Sequence, residues 1–305
     1  MRFLVLALLA AIAWRASAAP VERDLESTLV GQAAALDAAL ARGDARRAAE
    51  VERAIRAAPS GSLRALERRA QAGEADARFA LGLLASRGLL VPRNPARACA
   101  NFRPAAEAGH TAAAYHAALC LLNEDPATAA RFLRAAAEHQ HPAAQEAIGR
   151  ACLEGLGRRD LGCAVRNLAA AAKAGRPSAQ SLFAWMHATG VGVDREPITA
   201  LALYLLAAAK GDLAAQNNLG ELYETGAEPG LERDPRRAAL WYEDAARGGF
   251  AIAQFNLGRL FAAGSGVDYD PVAARFWLGK AEQGGVERAA ELLRSLKAAP
   301  TVPPR

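Results

Sequence analysis

Along this chain apolar residues recur every three or four positions, in runs broken by glycines and Asp-Pro steps. That spacing puts the apolar residues on one face of a helix, and it is not the alternation of a strand. The pattern is written most clearly twice. One copy runs Ala-Ala-Gln-Asn-Asn-Leu-Gly-Glu-Leu-Tyr from Ala214 to Tyr223. It continues through Gly226, Asp234-Pro235, Ala238, Trp241-Tyr242 and Ala245-Ala246 to Gly249. The other runs Ile-Ala-Gln-Phe-Asn-Leu-Gly-Arg-Leu-Phe from Ile252 to Phe261. It continues through Gly264, Asp270-Pro271, Ala274, Trp277 and Ala281 to Gly285. A period of this length implies a stack of helix pairs, each burying its face against its neighbours.

The same pattern extends backwards over residues 74–286 as six units. Counted at the fourth residue before the small residue of each first helix, the anchors are Arg78, Ala114, Gln145, Gln180, Gln216 and Gln254, spaced 36, 31, 35, 36 and 38. The small residues are Gly82, Ala118, Gly149, Ala184, Gly220 and Gly258, where two helices are expected to cross closely. The second helices carry bulky knobs at Phe102, Phe132-Leu133, Leu168, Tyr204, Trp241-Tyr242 and Phe276-Trp277, with Trp241 and Trp277 expected in the core. Each second helix ends in Gly109, Gln140, Gly175, Gly211, Gly249 or Gly285. Glycine there suits the left-handed turn into the next unit.

The ends read differently. Residues 19–73 are helical without fitting the repeat, and predict an N-terminal helical cap. Leu25, Leu29, Leu36 and Leu40 form one apolar stripe; helices are expected at Ala45–Ala57 and Leu63–Ala72. Residues 287–297 predict a C-terminal capping helix, and 298–305 a Pro-rich disordered tail. Residues 1–18 have a basic start, a short apolar run and a small-residue site. They predict a cleaved signal peptide, cut after Ala18 or alternatively Ala19, rather than a membrane span. The expected location is therefore periplasmic or secreted.

Charge adds little. Setting aside Arg2 and Arg15 leaves 35 basic against 32 acidic residues, a net of +3. These charges interleave along helices as a solvated surface, which argues against a nucleic-acid partner. The chain is Ala-rich, with 6% aromatic residues, which fits an all-α protein.

Four cysteines in an exported chain allow three disulfide pairings. Cys99 and Cys120 flank the expected turn at Gly109, and Cys152 and Cys163 flank that at Gly157. Antiparallel neighbouring helices bring such residues to one height, which favours Cys99–Cys120 and Cys152–Cys163. The alternative is four reduced thiols packed at apolar helix positions.

Asn218-Leu219-Gly220-Glu221-Leu222-Tyr223, with Gly226, Trp241-Tyr242 and Ala245-Ala246, resembles the Sel-one-like repeat (SLR) family, relatives of the tetratricopeptide repeat. The resemblance covers residues 74–286. It implies a right-handed superhelical α-solenoid of helix-turn-helix repeats, and an adaptor that holds partner proteins. It also implies a concave groove lined two positions before and one after each small residue. On that pattern Asn218, Glu221, Asn256, Arg259, Arg150, His116, Leu182 and Trp185 face inward, with Asn218 and Asn256 able to grip a peptide. The alternative for the asparagines is hydrogen bonding within the stack, and for Trp185 partial burial as packing.

Catalytic signals are missing. No nucleophile elbow, His-Glu-x-x-His, phosphate-binding glycine loop or Cys-x-x-Cys occurs. His139 and His141, with His110 one turn earlier, are expected as solvent-facing turn histidines rather than metal ligands, and His187 as a packed core residue. The reading is an exported, non-enzymatic scaffold without cofactor or metal, binding a protein or peptide. The alternative is a cell-envelope protein recognising peptidoglycan or β-lactams, or a hydrolase-like relative.

Overall fold

The computed structural model describes residues 28–59, 61–155, 160–226 and 230–298. The expected signal peptide, and all but the first residue of the expected tail, lie outside them. Sixteen helices follow one another among the described residues. Three precede the repeats: α1 (Leu29–Ala41), α2 (Ala45–Arg56) and α3 (Ser62–Gln71). Then come α4 (Ala75–Arg87), α5 (Pro95–Glu107), α6 (Thr111–Leu121), α7 (Pro126–Glu138), α8 (Pro142–Glu154) and α9 (Leu161–Lys173). After them come α10 (Pro177–Thr189), α11 (Pro197–Ala208), α12 (Leu213–Thr225) and α13 (Pro235–Arg247). The last are α14 (Ala251–Ala263), α15 (Pro271–Gln283) and α16 (Glu287–Ala298). This is the all-α repeat fold that the periodicity implied.

The chain forms two compact units, one up to Ala144 and one from Gln145. In the first, α1 packs on α2 and α4, α3 on α4, and α4 to α7 each on the next. In the second, α9 to α16 each pack on the next, and α10 also meets α12.

Local chemistry sets the boundaries. Asn94, Asp125, Asp234 and Asp270 each precede a proline, which suits the first helical position because it has no N–H to leave unpaired. Their side-chain oxygens accept from the N–H of Arg97, Thr128, Arg237 and Ala273 at 2.9–3.1 Å. The second helices end in left-handed glycines, such as Gly175 at φ +91° and Gly249 at +92°. Gln140 occupies the same corner at φ +61°, a conformation that costs a side-chain-bearing residue about 1–2 kcal/mol.

The small residue answers to a side chain as much as to a backbone. A Cβ on Gly220 would lie 2.5 Å from the Tyr242 ring, and one on Gly82 would lie 2.6 Å from Phe102. On Gly149 and Gly258 it would meet Leu168 and Leu278 at 2.7 and 2.8 Å, with the leucines' backbone N within 3.1 Å. The fully buried knobs of the last two pairs are therefore Tyr242 and Leu278. Trp241 and Trp277 are half-buried at the edge of the core, which corrects the expectation that they form it. Phe276 is exposed, and of Phe132 and Leu133 only the former is buried. In the last two pairs the reason is register: the fourth residue after Ala238 or Ala274 points into the groove of the first helix and the third points beside it, whereas in the second pair the residue three after Ala129, Phe132, takes the buried place.

The anchor position also acquires a physical role. Gln180 and Gln254 donate from Nε2 to the carbonyls of Ala172 and Ala246, at 3.2 and 3.1 Å. Arg78 donates from Nε to the Ala70 carbonyl at 3.1 Å. Each adds a second donor to a carbonyl in the last turn of the preceding helix, which already accepts the N–H of the glycine three residues on.

Both expected disulfides form. Cys99 on α5 joins Cys120 on α6, and Cys152 on α8 joins Cys163 on α9, with Cα–Cα distances of 5.8 and 5.9 Å.

Candidate interaction surface

In the second unit the first helices of successive pairs are α8, α10, α12 and α14. One residue after the small position they carry Arg150, Trp185, Glu221 and Arg259. Shared register places these four in one row. Arg150 and Arg259 keep 43% and 37% of their side chains exposed, Glu221 is exposed, and Trp185 is half-buried. Trp185 and Leu182 both pack on the cluster around Leu168 and Met186, and Trp185 also touches that around Tyr204.

The row is held from beneath by buried polar groups. Glu224 accepts from Tyr242 Oη at 2.9 Å and from Arg259 Nη2 at 2.7 Å, linking α12, α13 and α14. Burial alone would raise the Glu224 carboxyl; the hydrogen bonds from Arg259 and Tyr242, with the Arg259 and Arg233 charges, bring it below its ordinary value. Burial and the Glu224 charge push the Tyr242 phenol up, so it stays a donor. Arg150 donates to Glu146 at 3.0 Å, and Glu146 also pairs with Arg176.

Asn217 is the hub of a second network and is buried. Its Oδ1 accepts from Asn256 Nδ2 at 3.0 Å, and its Nδ2 donates to Glu221 Oε1 at 3.0 Å and Asn218 Oδ1 at 3.3 Å. Asn218 Nδ2 in turn donates to Tyr204 Oη at 3.2 Å. Burial pushes the Tyr204 phenol up. Asn218 is half-buried and Asn256 buried, although the two hold one register position. Position 217 is Asn while its counterpart 255 is Phe, and Asn217 on α12 offers Asn256 on α14 a buried acceptor.

The first unit holds the predicted groove residue His116. Its Nε2 lies 2.6 Å from Oδ1 of Asp37, a buried carboxylate on α1, and its ring stacks on Phe102. His141 reaches the same carboxylate, Nε2 to Oδ2 at 3.3 Å. His141 is 7% exposed, which corrects its expectation as a solvent-facing turn residue; His139 is exposed as expected. The cause is that residue 141 is the N-cap of α8: its Nδ1 accepts from the N–H of Ala144 at 3.4 Å, turning the ring inward. His110 caps α6 in the same way, Nδ1 accepting from Ala113 at 3.1 Å. His187 is mostly buried against Phe183.

Sequence reading missed Asp37, Asn217, Glu146 and Glu224. Asp37 carried a readable signal: it is the one charge inside the apolar run Ala33 to Ala41. Among the described residues no group of three or more His, Cys, Asp or Glu is placed to hold a metal ion. Among them, too, no helix is long and apolar enough to cross a membrane.

The Sel1 repeat family matches this chain at residues 75–110, 177–212, 213–250 and 251–286. A protective antigen present in uropathogenic Escherichia coli strains, displaying an SLR fold, is similar at 31% identity and a TM-score of 0.64. That likeness covers 76% of this chain and 50% of the antigen, so the chain spans about half of its length. A Sel1 repeat protein from Oxalobacter formigenes is similar at 28% identity and a TM-score of 0.60, over 82% of this chain and 78% of that one. No curated protein matches the chain.

Proposed function

Because this chain is built on Sel1 repeats, four of them recognisable in sequence, we propose that it is an exported scaffold that binds a protein or peptide along the first helices of its repeats. The observation that carries the reading is the row Arg150, Trp185, Glu221 and Arg259, with Asn218 beside it: charged and aromatic side chains in one register. Aromatic and arginine side chains supply most of the binding energy at protein interfaces, and side chains already held by partners lose less entropy on docking. A basic, aromatic, acidic and basic sequence of positions suits an extended segment of mixed charge. Asn256 supports the row from below through Asn217.

Export is proposed on two grounds, the residue pattern of 1–18 and the two disulfides, which persist in oxidising compartments. The further reading of residues 74–286 as six repeats between capping helices rests on the recurrence of the small residue and its knob. Scaffolding needs no catalytic group of the chain's own.

The test is site-specific photocrosslinking in the envelope fraction. A crosslinker at Glu221 or Trp185 should trap a partner that one at Arg247, on the exposed side of α13, does not. Trp185→Ala with Arg259→Ala should abolish the adduct while the far-ultraviolet circular dichroism at the assay temperature stays that of the folded chain. Equal trapping from Glu221 and Arg247 would move the binding surface elsewhere.

A further inference from the structure

We infer that the cavity beside Asp37 in the first unit binds an organic cation, a protonated amine or a guanidinium, whose charge balances that buried carboxylate. The cavity is about 510 Å³, within the range of roughly 300–1,000 Å³ usual for small-molecule sites. Its wall is the end of α1, with Asp37, Ala38 and Ala41, and the turns that open α6 and α8. Asp76, largely exposed, stands at the rim within 3.6 Å of His110 Nε2.

Asp37 is 6% exposed. Among the described residues its only charged or chargeable partners are His116 and His141; it pairs with no lysine or arginine. His141 Nδ1 faces the Ala144 N–H, so that ring meets Asp37 through Nε2. A buried carboxylate whose only partners are imidazoles has no permanent cation beside it in a medium of low dielectric. Burial would raise the Asp37 carboxyl, yet the hydrogen bonds from His116 and His141, with the Coulombic attraction of those two rings, hold it well below its ordinary value, so it is ionised at neutral pH.

Each carboxylate oxygen contacts one imidazole nitrogen and has the capacity for a second donor, and Asp37 lines the cavity. Arg42 shares the wall, but it is exposed and forms no ion pair with Asp37. Ala38, Ala41 and Pro142 suit the methylenes of a lysine-like chain, and Asp76 adds a second carboxylate at the mouth. The remaining titratable groups on the wall are His110 and His139. The site is independent of the row in the second unit.

Calorimetric titration of the full chain at pH 7.5 tests this with N-acetyl-lysine methylamide and with putrescine. The uncharged N-acetyl-norleucine methylamide serves as control. The peptide-borne amine and the free diamine separate a protein side chain from a polyamine as the source. At least one cation should bind ten times more tightly than the control, and Asp37→Asn should remove that difference. Ala38→Leu, which fills the wall and leaves Asp37 with its partners, should weaken binding at least tenfold even where Asp37→Asn does not fold. Equal binding of cations and control, or unchanged binding to Ala38→Leu, would overturn the inference. So would imidazole nitrogen shifts showing His116 or His141 fully protonated in the free protein, since the counter-charge would then be internal.

Discussion

Arg259 donates to Glu224 at 2.7 Å across 35 residues of sequence, one repeat's length. The pair ties α12 to α14, and Tyr242 on the helix between them shares the same carboxylate. Both partners are partly exposed, so solvent screens the pair. A double-mutant cycle with Glu224→Gln and Arg259→Met should give a coupling of about 1 kcal/mol. Because the Glu224 carboxyl lies below its ordinary value in the folded state, its contribution is present above the unfolded carboxylate range and lost as pH falls below it. Glu224→Gln should therefore flatten the acid limb of a urea-melt pH series.

Gly220 faces the Tyr242 ring, which leaves no room for a methyl group. Gly220→Ala should destabilise the second unit by about 1–3 kcal/mol, the usual cost of overpacking. Gly279, with nothing near its Cβ position, is the control. Gly279→Ala lies within a helix and should be neutral or stabilising in chemical denaturation.

Gln140 stands where the other second helices turn on glycine, and carries the same positive φ. Gln140→Gly should stabilise the first unit by about 1 kcal/mol, by removing left-handed strain from a side-chain-bearing residue. A raised urea midpoint at unchanged slope is the expected signature.

His110 caps α6 through an unprotonated Nδ1, and burial holds its pKa below the ordinary value against the opposing Asp76 charge. A depressed histidine gives stability that is present above its unfolded pKa of about 6.5 and lost as pH falls through the folded value. The melting temperature should drop between pH 7.5 and 5. His110→Asn keeps a capping acceptor that does not titrate, and should reduce that drop.

The Cys152–Cys163 bridge closes a loop of 11 residues, worth about 3 kcal/mol on a chain-entropy estimate. Non-reducing peptide mapping should recover both bridges, and thiol titration under denaturant should find no free cysteine. Cys152→Ser with Cys163→Ser should lower stability by that order without altering the helical circular dichroism signal.

The repeat, its helices and both cysteine pairs were legible because they depend on local spacing. Helical period, Asp-Pro starts, glycine ends and antiparallel neighbours act over a few dozen residues at most. The twin stretch at Leu213–Gly285 displayed all of these. Side-chain fate was not legible, because it depends on what a neighbouring repeat presents. Trp241 and Tyr242 are adjacent, and only packing against Gly220 decides that the tyrosine is buried. Asn218 and Asn256 share a position, and only Asn217 draws the second into the stack. His116 read as a groove residue and His141 as a turn histidine until Asp37, 79 and 104 residues earlier, is folded against them. Sequence by itself determined the periodic architecture, since each helix pair is specified by its own residues. Tertiary structure alone decided the polar networks and the buried charge, since a hydrogen bond between distant residues leaves no mark on the period of either.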